Sequence, residues 1–349
     1  MSRRIVYLAM DGHARHSTLG SMDGRGRFER TWTFATCEGE MVRHVRSIEG
    51  GRKWLAIEEG PLAFWIAQTL RPYVDELLIA DPRENPLISR SAMKGDKVDV
   101  RQLCRLLRLG ELKRVYHPEE DERAIFKAAV QQYIDFRDQE GGLKKKIKSK
   151  YRSWGVPGVE GTCVYNRQKR EGYLKQVKHR AIRNQIGRLY VMLDSALAMQ
   201  EATLEEAKRL GRNYWEIEEF QNVSGVGVVG ALTFDAYIQT PHRFTTKSRL
   251  YRYCQLSVTD RSSDGKLLGY KHLDKAGNSE LKAMSYRSFL AAMRMKRGNE
   301  VRTFYERSLR RTRNQTRARL STQRKILSVL HGVWRKEETY RPELFLGSD

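Results

Sequence analysis

A change of rhythm near Pro118 constrains this chain more than any other feature. Before it, short apolar runs alternate with helical patterns; after it, helical periodicity dominates. "RIVYLAMD" is an apolar strand ending in Asp11, and "HSTLGSMDGRGRFERTWTF" reads as two strands joined by a Gly-rich turn. Thr36 is placed to cap a short helix with Glu38 and Glu40 in its first turn. "KWLAIEE" is a fourth strand, "PLAFWIAQTLRPY" a helix opened by Pro61, and "DELLIADP" a fifth strand. A three-strand meander continued by strand–helix units predicts an α/β domain with a mixed five-stranded sheet covered by helices.

Beyond Pro118, one helix runs through "EEDERAIFKAAVQQYIDFRDQEGGLKKKIKSKYRSW", weakened at Gly141-Gly142. Gly155, Pro157, Gly158 and Gly161 make a turn region, and a second long helix is expected over roughly 168–210. Two long helices with a short connection suggest a coiled-coil arm. From Tyr214 a mostly α domain follows, interrupted by the loop- and turn-rich "SVTDRSSDGKLLGYKHLDKAGNSELK". The expected division is 1–153, an α/β domain with a helical extension; 154–213, a basic arm; and 214–349, a final domain.

Charge narrows the function. Lys and Arg total 65 against 42 Asp and Glu, a formal net charge of +23. Between Lys144 and Arg188 there are 14 basic and 2 acidic residues, and between Leu281 and Lys336 there are 16 and 2. Such a field favours polyanions, nucleic acid first. No apolar run approaches the roughly 18–20 residues of a membrane span, and no signal peptide opens the chain. Cys37, Cys104, Cys163 and Cys254 lie far apart without a CxxC pair, which fits a reducing cytoplasm and argues against a zinc ribbon.

In so basic a chain, acids at strand ends stand out. Asp11 ends the first strand, Glu58 and Glu59 end the fourth, and Asp96 and Asp99 open the helix in "MKGDKVDVRQLCRLLRLG". Capping alone accounts for acids at a helix start. Their i,i+3 spacing also suits a shared hard cation such as Mg²⁺, one or two ions. His13, two residues after Asp11, reads as a supporting or solvent-facing group. In the last domain, Ser262 and Ser263 are two hydroxyls in a polar loop. Gly225 and Gly227 in "VSGVGVVGA" either turn backbone amides toward a phosphate or allow tight helix packing. His331 and Trp334 read as packing residues.

These segments together resemble the DEDD-type insertion-sequence transposases, relatives of the Piv invertase that act as bridge-RNA-guided recombinases. "YLAMDGH", "EEGP" and "KGDKVDV" match the family's acidic segments at Asp11, Glu58, Asp96 and Asp99, with Gly95 and Val100 departing from its Thr and Ala. "RSSDGK" and "KAGNSELK" match its serine segment and the segment that follows, with Asp264 and Lys282 as departures. The resemblance implies a RuvC-like, RNase H-like first domain and a C-terminal transposase domain. Its nucleophile is Ser263, with Ser262 as the close alternative. It implies Mg²⁺ on the four acids and a 5′-phosphoserine-type intermediate. It further implies DNA donor and target, a structured non-coding RNA, a homodimer or tetramer, and a cytoplasmic, nucleoid-associated protein of bacteria or archaea. Lys94, Arg261, Lys266, Lys275, Asn278, Gly225 and Gly227 are the expected nucleic-acid contacts. The rival readings are a metal-dependent structure-specific nuclease and an inactive RNA- or DNA-binding scaffold.

Overall fold

The computed structural model describes residues 5–81, 95–118, 121–263 and 266–346; the side chains of Asp96, Asp121 and residues 260–271 lie outside that description. The chain forms two compact units, Met1–Glu119 and Glu120–Asp349. The long helix expected as an extension of the first domain belongs to the second unit.

In the first unit, β1 (Ile5–Gly12), β2 (His16–Met22) and β3 (Phe28–Ala35) form the meander. Helix α1 (Glu38–Ser47), β4 (Arg52–Glu58), α2 (Ala63–Leu70), β5 (Glu76–Ala80) and α3 (Asp96–Leu109) follow. The sheet order is β3-β2-β1-β4-β5, with β2 antiparallel to both neighbours and β4 parallel to β1 and β5. This is the mixed five-stranded sheet the sequence predicts.

Strand alternation sorts the side chains into two layers. Val6, Leu8 and Met10 of β1 join Leu55 and Ile57 of β4 against α1 and α2, through Met41, Val45, Ile66 and Leu70. Tyr7, Ala9 and Ala56 face the other way, against Val100, Leu103, Cys104 and Leu107 of α3. The thiol of Cys104 approaches the carbonyls of Tyr7 and Gly20, each at 3.6 Å, and burial pushes its pKa up. The small residues of this layer let α3 lie close to the sheet.

One local expectation fails. The N-cap position of α1 is Cys37, with no side-chain cap, although Glu38 and Glu40 do occupy its first turn. The Thr36 hydroxyl instead donates to the His13 carbonyl at 2.6 Å and lies 2.8 Å from Ser17 Oγ. It ties the β1–β2 connection rather than the helix.

The second unit begins with α4 (Asp121–Ser153), then α5 (Arg170–Lys175) and α6 (Arg180–Gly211). The Gly141-Gly142 pair does not break α4, because a helix clamped by packing along its length tolerates the roughly 1 kcal/mol cost of each glycine. The expected single helix over 168–210 is two, with a break at 176–179. Val156, Val159, Val164 and Val177 fold back instead onto Ile147, Tyr151, Ile186 and Leu193. The Tyr190 hydroxyl donates to the Val164 carbonyl at 2.7 Å, and Arg170 grips Asp194 at 2.7 and 2.8 Å. Helices α4 and α6 pack antiparallel, with Tyr151 against Tyr190 at one end and Phe126 near Gly211 at the other.

The other half of α4 belongs to a larger core. Phe126, Val130 and Ile134 pack with α7 (Trp215–Gln221), α8 (Val228–Ile238), α9 (Lys247–Tyr253), α10 (Ser279–Arg294) and α12 (Gln315–Lys336). Between α10 and α12 runs α11 (Glu300–Thr312), and α13 (Pro342–Leu346) closes the fold. The segment expected to be loop-rich contains an antiparallel hairpin, β6 (Val258–Ser263) and β7 (Lys266–Leu273). Its sequence signal was the Asp264-Gly265 pair between β-compatible runs.

Among the described residues, no helix is long and apolar enough to cross a membrane. All four cysteines are free, two buried (Cys104, Cys254) and two exposed (Cys37, Cys163).

Candidate active site

The first unit gathers acids by strand register. In the β1–β4 ladder the last recorded partners are Met10 and Ile57. One residue further stand Asp11 and Glu58. Alternation puts both on the layer of Ala9 and Ala56, which α3 covers. Asp96 and Asp99 occupy the first turn of α3, where Gly95 is the N-cap. Three sequence-distant elements therefore bring their acids to one end of one sheet face.

The electrostatics record this proximity. Burial raises the Glu58 pKa, and the charges of Asp11 and Asp99 raise it further, while His13 pulls it the other way. His13 Nε2 lies 3.2 Å from Asp11 Oδ2, with the imidazole largely exposed and the carboxylate largely covered. Glu59 goes elsewhere: its carboxylate meets His117 Nε2 at 2.6 Å, and its amide donates to the Ala80 carbonyl. Of the two adjacent glutamates, only Glu58 thus joins the cluster with Asp11 and Asp99.

Two carboxylates close enough to raise the pKa of a third have the chemistry of a hard-cation site. Among the described residues, however, no group of three or more His, Cys, Asp and Glu is drawn into a shell able to hold a metal ion. The side chain of Asp96 lies outside that search.

In the second unit, Ser262 and Ser263 are the last residues of β6, paired with Leu267 and Lys266 across the hairpin. The ladder is irregular between Asp260 and Ser262. The side chains of Arg261, Ser262, Ser263 and Lys266 lie outside the described residues, as does Lys94 altogether. Lys275 is exposed, and its carbonyl accepts from Gln255 Nε2 at 2.7 Å.

The "KAGN" segment has a structural account that the sequence reading missed. Asn278 is the N-cap of α10, its side chain accepting from the Leu281 amide at 3.0 Å. Gly277 sits at φ 112°, and a Cβ there would meet the Tyr253 carbonyl oxygen at 2.4 Å. The pair docks the start of α10 against the end of α9. Gly225 is similar: at φ 86°, a Cβ would stand 2.2 Å from the Ser288 carbonyl oxygen. The tight-packing reading of that glycine therefore holds. Gly227 differs, being exposed at the N-cap of α8 with open space around it.

The turn before α8 is braced from outside. The Ser224 amide and hydroxyl donate to Glu300 at 2.9 and 2.8 Å, and the Tyr340 hydroxyl donates to the same carboxylate at 2.9 Å. His331 is buried with Nε2 at 2.8 Å from the Pro241 carbonyl, and Trp334 packs edge-on against Phe220. Both are packing residues, as expected. The basic stretch of α4 forms a shallow groove of about 510 Å³ lined by Lys145, Lys148, Ser149, Arg152 and Ser153.

The first unit thus carries an acidic sheet end, and the second carries the dense basic stretches. Residues 217–306 match the model of the transposase IS116/IS110/IS902 family. That stretch runs from α7 into α11 and contains the Gly225 turn, the serine hairpin and the "KAGN" segment. A protein of Sinorhizobium fredii, y4qE, described as a candidate transposase, is 24% identical over 244 residues. The alignment covers 66% of this chain and 56% of that protein, so the chain spans little more than half the relative's length.

Proposed function

We propose that this protein is a DNA transposase of the insertion-sequence type that cuts and rejoins strands by transesterification. The observation that carries the reading is the convergence of Asp11, Glu58 and Asp99 on one sheet face, in a chain whose residues 217–306 match a transposase family. The strand order β3-β2-β1-β4-β5, with three antiparallel strands followed by two parallel ones, supports an RNase H-like, RuvC-like assignment of the first unit.

In this reading Ser263, or Ser262 beside it, is the nucleophile. Its Oγ attacks the phosphorus of a phosphodiester, forming a Ser–O–P bond. The bond to the 3′-oxygen breaks, and that oxygen leaves as a hydroxyl once protonated; the serine proton passes to a base. A 3′-hydroxyl of the partner strand then attacks the phosphoserine, releases the serine and restores a phosphodiester. Bond count and phosphate charge are conserved, so no nucleoside triphosphate is needed. Asp11, Glu58, Asp99 and Asp96 would hold Mg²⁺, which when bound supplies charge neutralisation at the transferring phosphate. Crowding keeps these carboxylates poised for a cation, and His13 offsets part of their repulsion. The basic faces of the second unit would contact nucleic-acid backbone, consistent with specificity residing in a base-paired RNA guide. A dimer or tetramer would bring serine and acids together.

The decisive experiment traps the adduct. Incubation with Mg²⁺ and nicked donor DNA, followed by mass spectrometry, should yield a nucleotide on the peptide carrying Ser262 and Ser263. Ser263→Ala should abolish it, and Asp11→Asn should reduce strand cleavage at least about a hundredfold. Cleavage without any serine adduct would instead establish hydrolysis by the acidic site. Absence of both activities from the intact protein with its co-purified nucleic acid would leave a binding scaffold. Sequencing that nucleic acid tests the RNA guide directly.

A further inference from the structure

At the end of the α4–α6 pair away from Phe126 and the larger core stands an exposed aromatic pair. Helix α4 closes in a Schellman turn: the Gly155 amide donates to the Arg152 carbonyl and the Val156 amide to the Tyr151 carbonyl, both at 3.1 Å, with Gly155 at φ 69°. The turn folds Val156 onto the buried Tyr151 and leaves Trp154, between them in sequence, 43% exposed. Its ring meets that of His179, the exposed residue before α6, edge-on at 4.9 Å. In an edge-on pair each ring keeps at least one face clear of the other. The connector buries Val156, Val159, Val164 and Val177, so an indole left this open has no packing role to match its size.

The charge around this pair says what it meets. Lys178 and Arg180 flank His179 in sequence, and Arg183 follows one turn along α6. The Arg183 guanidinium donates to the Val177 and Lys178 carbonyls at 2.7 and 3.0 Å, and Lys150 Nζ donates to Gln185 Oε1 at 3.0 Å. Neutral acceptors place these cations without cancelling their charge. Among the described residues no carboxylate pairs with Lys178 or Arg180. Open ring faces beside concentrated positive charge repel a cationic ligand and suit a flat π system that carries anions. A duplex offers phosphates to Lys178 and Arg180, but its bases show only their edges in the grooves and keep their faces from the rings. An unpaired nucleotide meets both demands. We infer that Trp154 and His179 form a stacking site for an unpaired nucleobase, with its flanking phosphates on Lys178 and Arg180. The inference requires that the chain meets nucleic acid, but not that it cuts or joins it.

The test uses full-length protein freed of co-purified nucleic acid. Short strands carrying iodouracil are offered as single-stranded RNA, single-stranded DNA and blunt duplex. Photocrosslinks from the single strands should map to Trp154 or His179, and the duplex should give few there. Trp154→Leu keeps apolar bulk without a π face and should weaken single-strand binding about tenfold, with duplex binding unchanged. Trp154→Phe should restore most of that loss, with equal thermal melts for the two variants showing that folding is not the cause. Lys178→Gln should lower the log–log salt slope of single-strand binding by about 0.7, which Trp154→Leu should leave alone. A crosslink at these rings from either strand chemistry supports the site, and the tighter binder names its source. Crosslinks confined to other residues, wild-type single-strand affinity in Trp154→Leu, no rescue by Trp154→Phe, or equal losses on single strand and duplex would each overturn the assignment. The serine adduct is read independently of all these outcomes.

Discussion

Two clusters of carboxylates, one in each unit, show how differently a protein treats buried acid. In the second unit, Asp235 and Glu216 are fully covered, and Arg123 reaches both, at 2.5 and 2.7 Å. The same guanidinium lies 3.9 Å from the Tyr214 ring centroid and 5.1 Å from that of Trp334. Burial alone would pull Arg123's pKa down, but Asp235 and Glu216 outweigh it and hold it above its ordinary value. Burial drives Asp235 up, with Arg123 opposing. In the first unit, the charges of Asp11 and Asp99 raise the pKa of Glu58, and the exposed His13 opposes them. The first cluster carries its counter-ion covalently and holds the fold together. The second sets carboxylate beside carboxylate, and Glu58 bears the repulsion as a raised pKa.

Removing a built-in cation should cost most. Arg123→Ala leaves two buried carboxylates unpaired and should destabilise the second unit by about 3–5 kcal/mol, read from urea denaturation. Gly225→Ala should cost about 2 kcal/mol by the same measurement, since its φ is left-handed and the Cβ meets a carbonyl oxygen. Asn278→Ala should cost about 1 kcal/mol through loss of the α10 cap; a larger loss of DNA affinity than of stability would return Asn278 to the interface.

The smallest effect should have the opposite sign. Because Glu58 has a raised pKa in the folded state, the folded chain keeps a proton that the unfolded chain releases above about pH 4.5. Its contribution to stability is present below that pH and fades as pH rises through the raised value. Asp11→Asn relieves the repulsion. It should lower the Glu58 pKa, seen in carboxyl ¹³C titration, and raise Tm near neutral pH by about 1–2 °C in chelator. A destabilised Asp11→Asn would erase the distinction between the two clusters.

Much of the first unit was legible because strands and helices there have clean periods. Asp11 and Glu58 stood out because a charged residue at the end of an apolar strand has no packing reason to be there, and Asp99 by its i,i+3 spacing from Asp96 at the helix start. The choice of Glu58 over Glu59 needed structure, since only tertiary contact pairs Glu59 with His117. The single helix over 121–153 agrees with the sequence, whereas the break before α6 has no local signal, because the 154–179 connector is held by Tyr190 and Asp194, distant partners that local propensity does not report. The Arg123 cluster has no sequence signal: Arg123 lies 93 and 112 residues from its two carboxylates, and all three resemble any surface charges.

The sequence by itself determined the order of strands and helices, the strongly basic charge and the acids at strand ends. Those follow from periodicity and composition, which are local properties. Only the tertiary structure decided which acids lie near one another and that Gly225 and Gly277 are packed against backbone. Those depend on register and on what lies opposite, and neither is written within a single segment of chain.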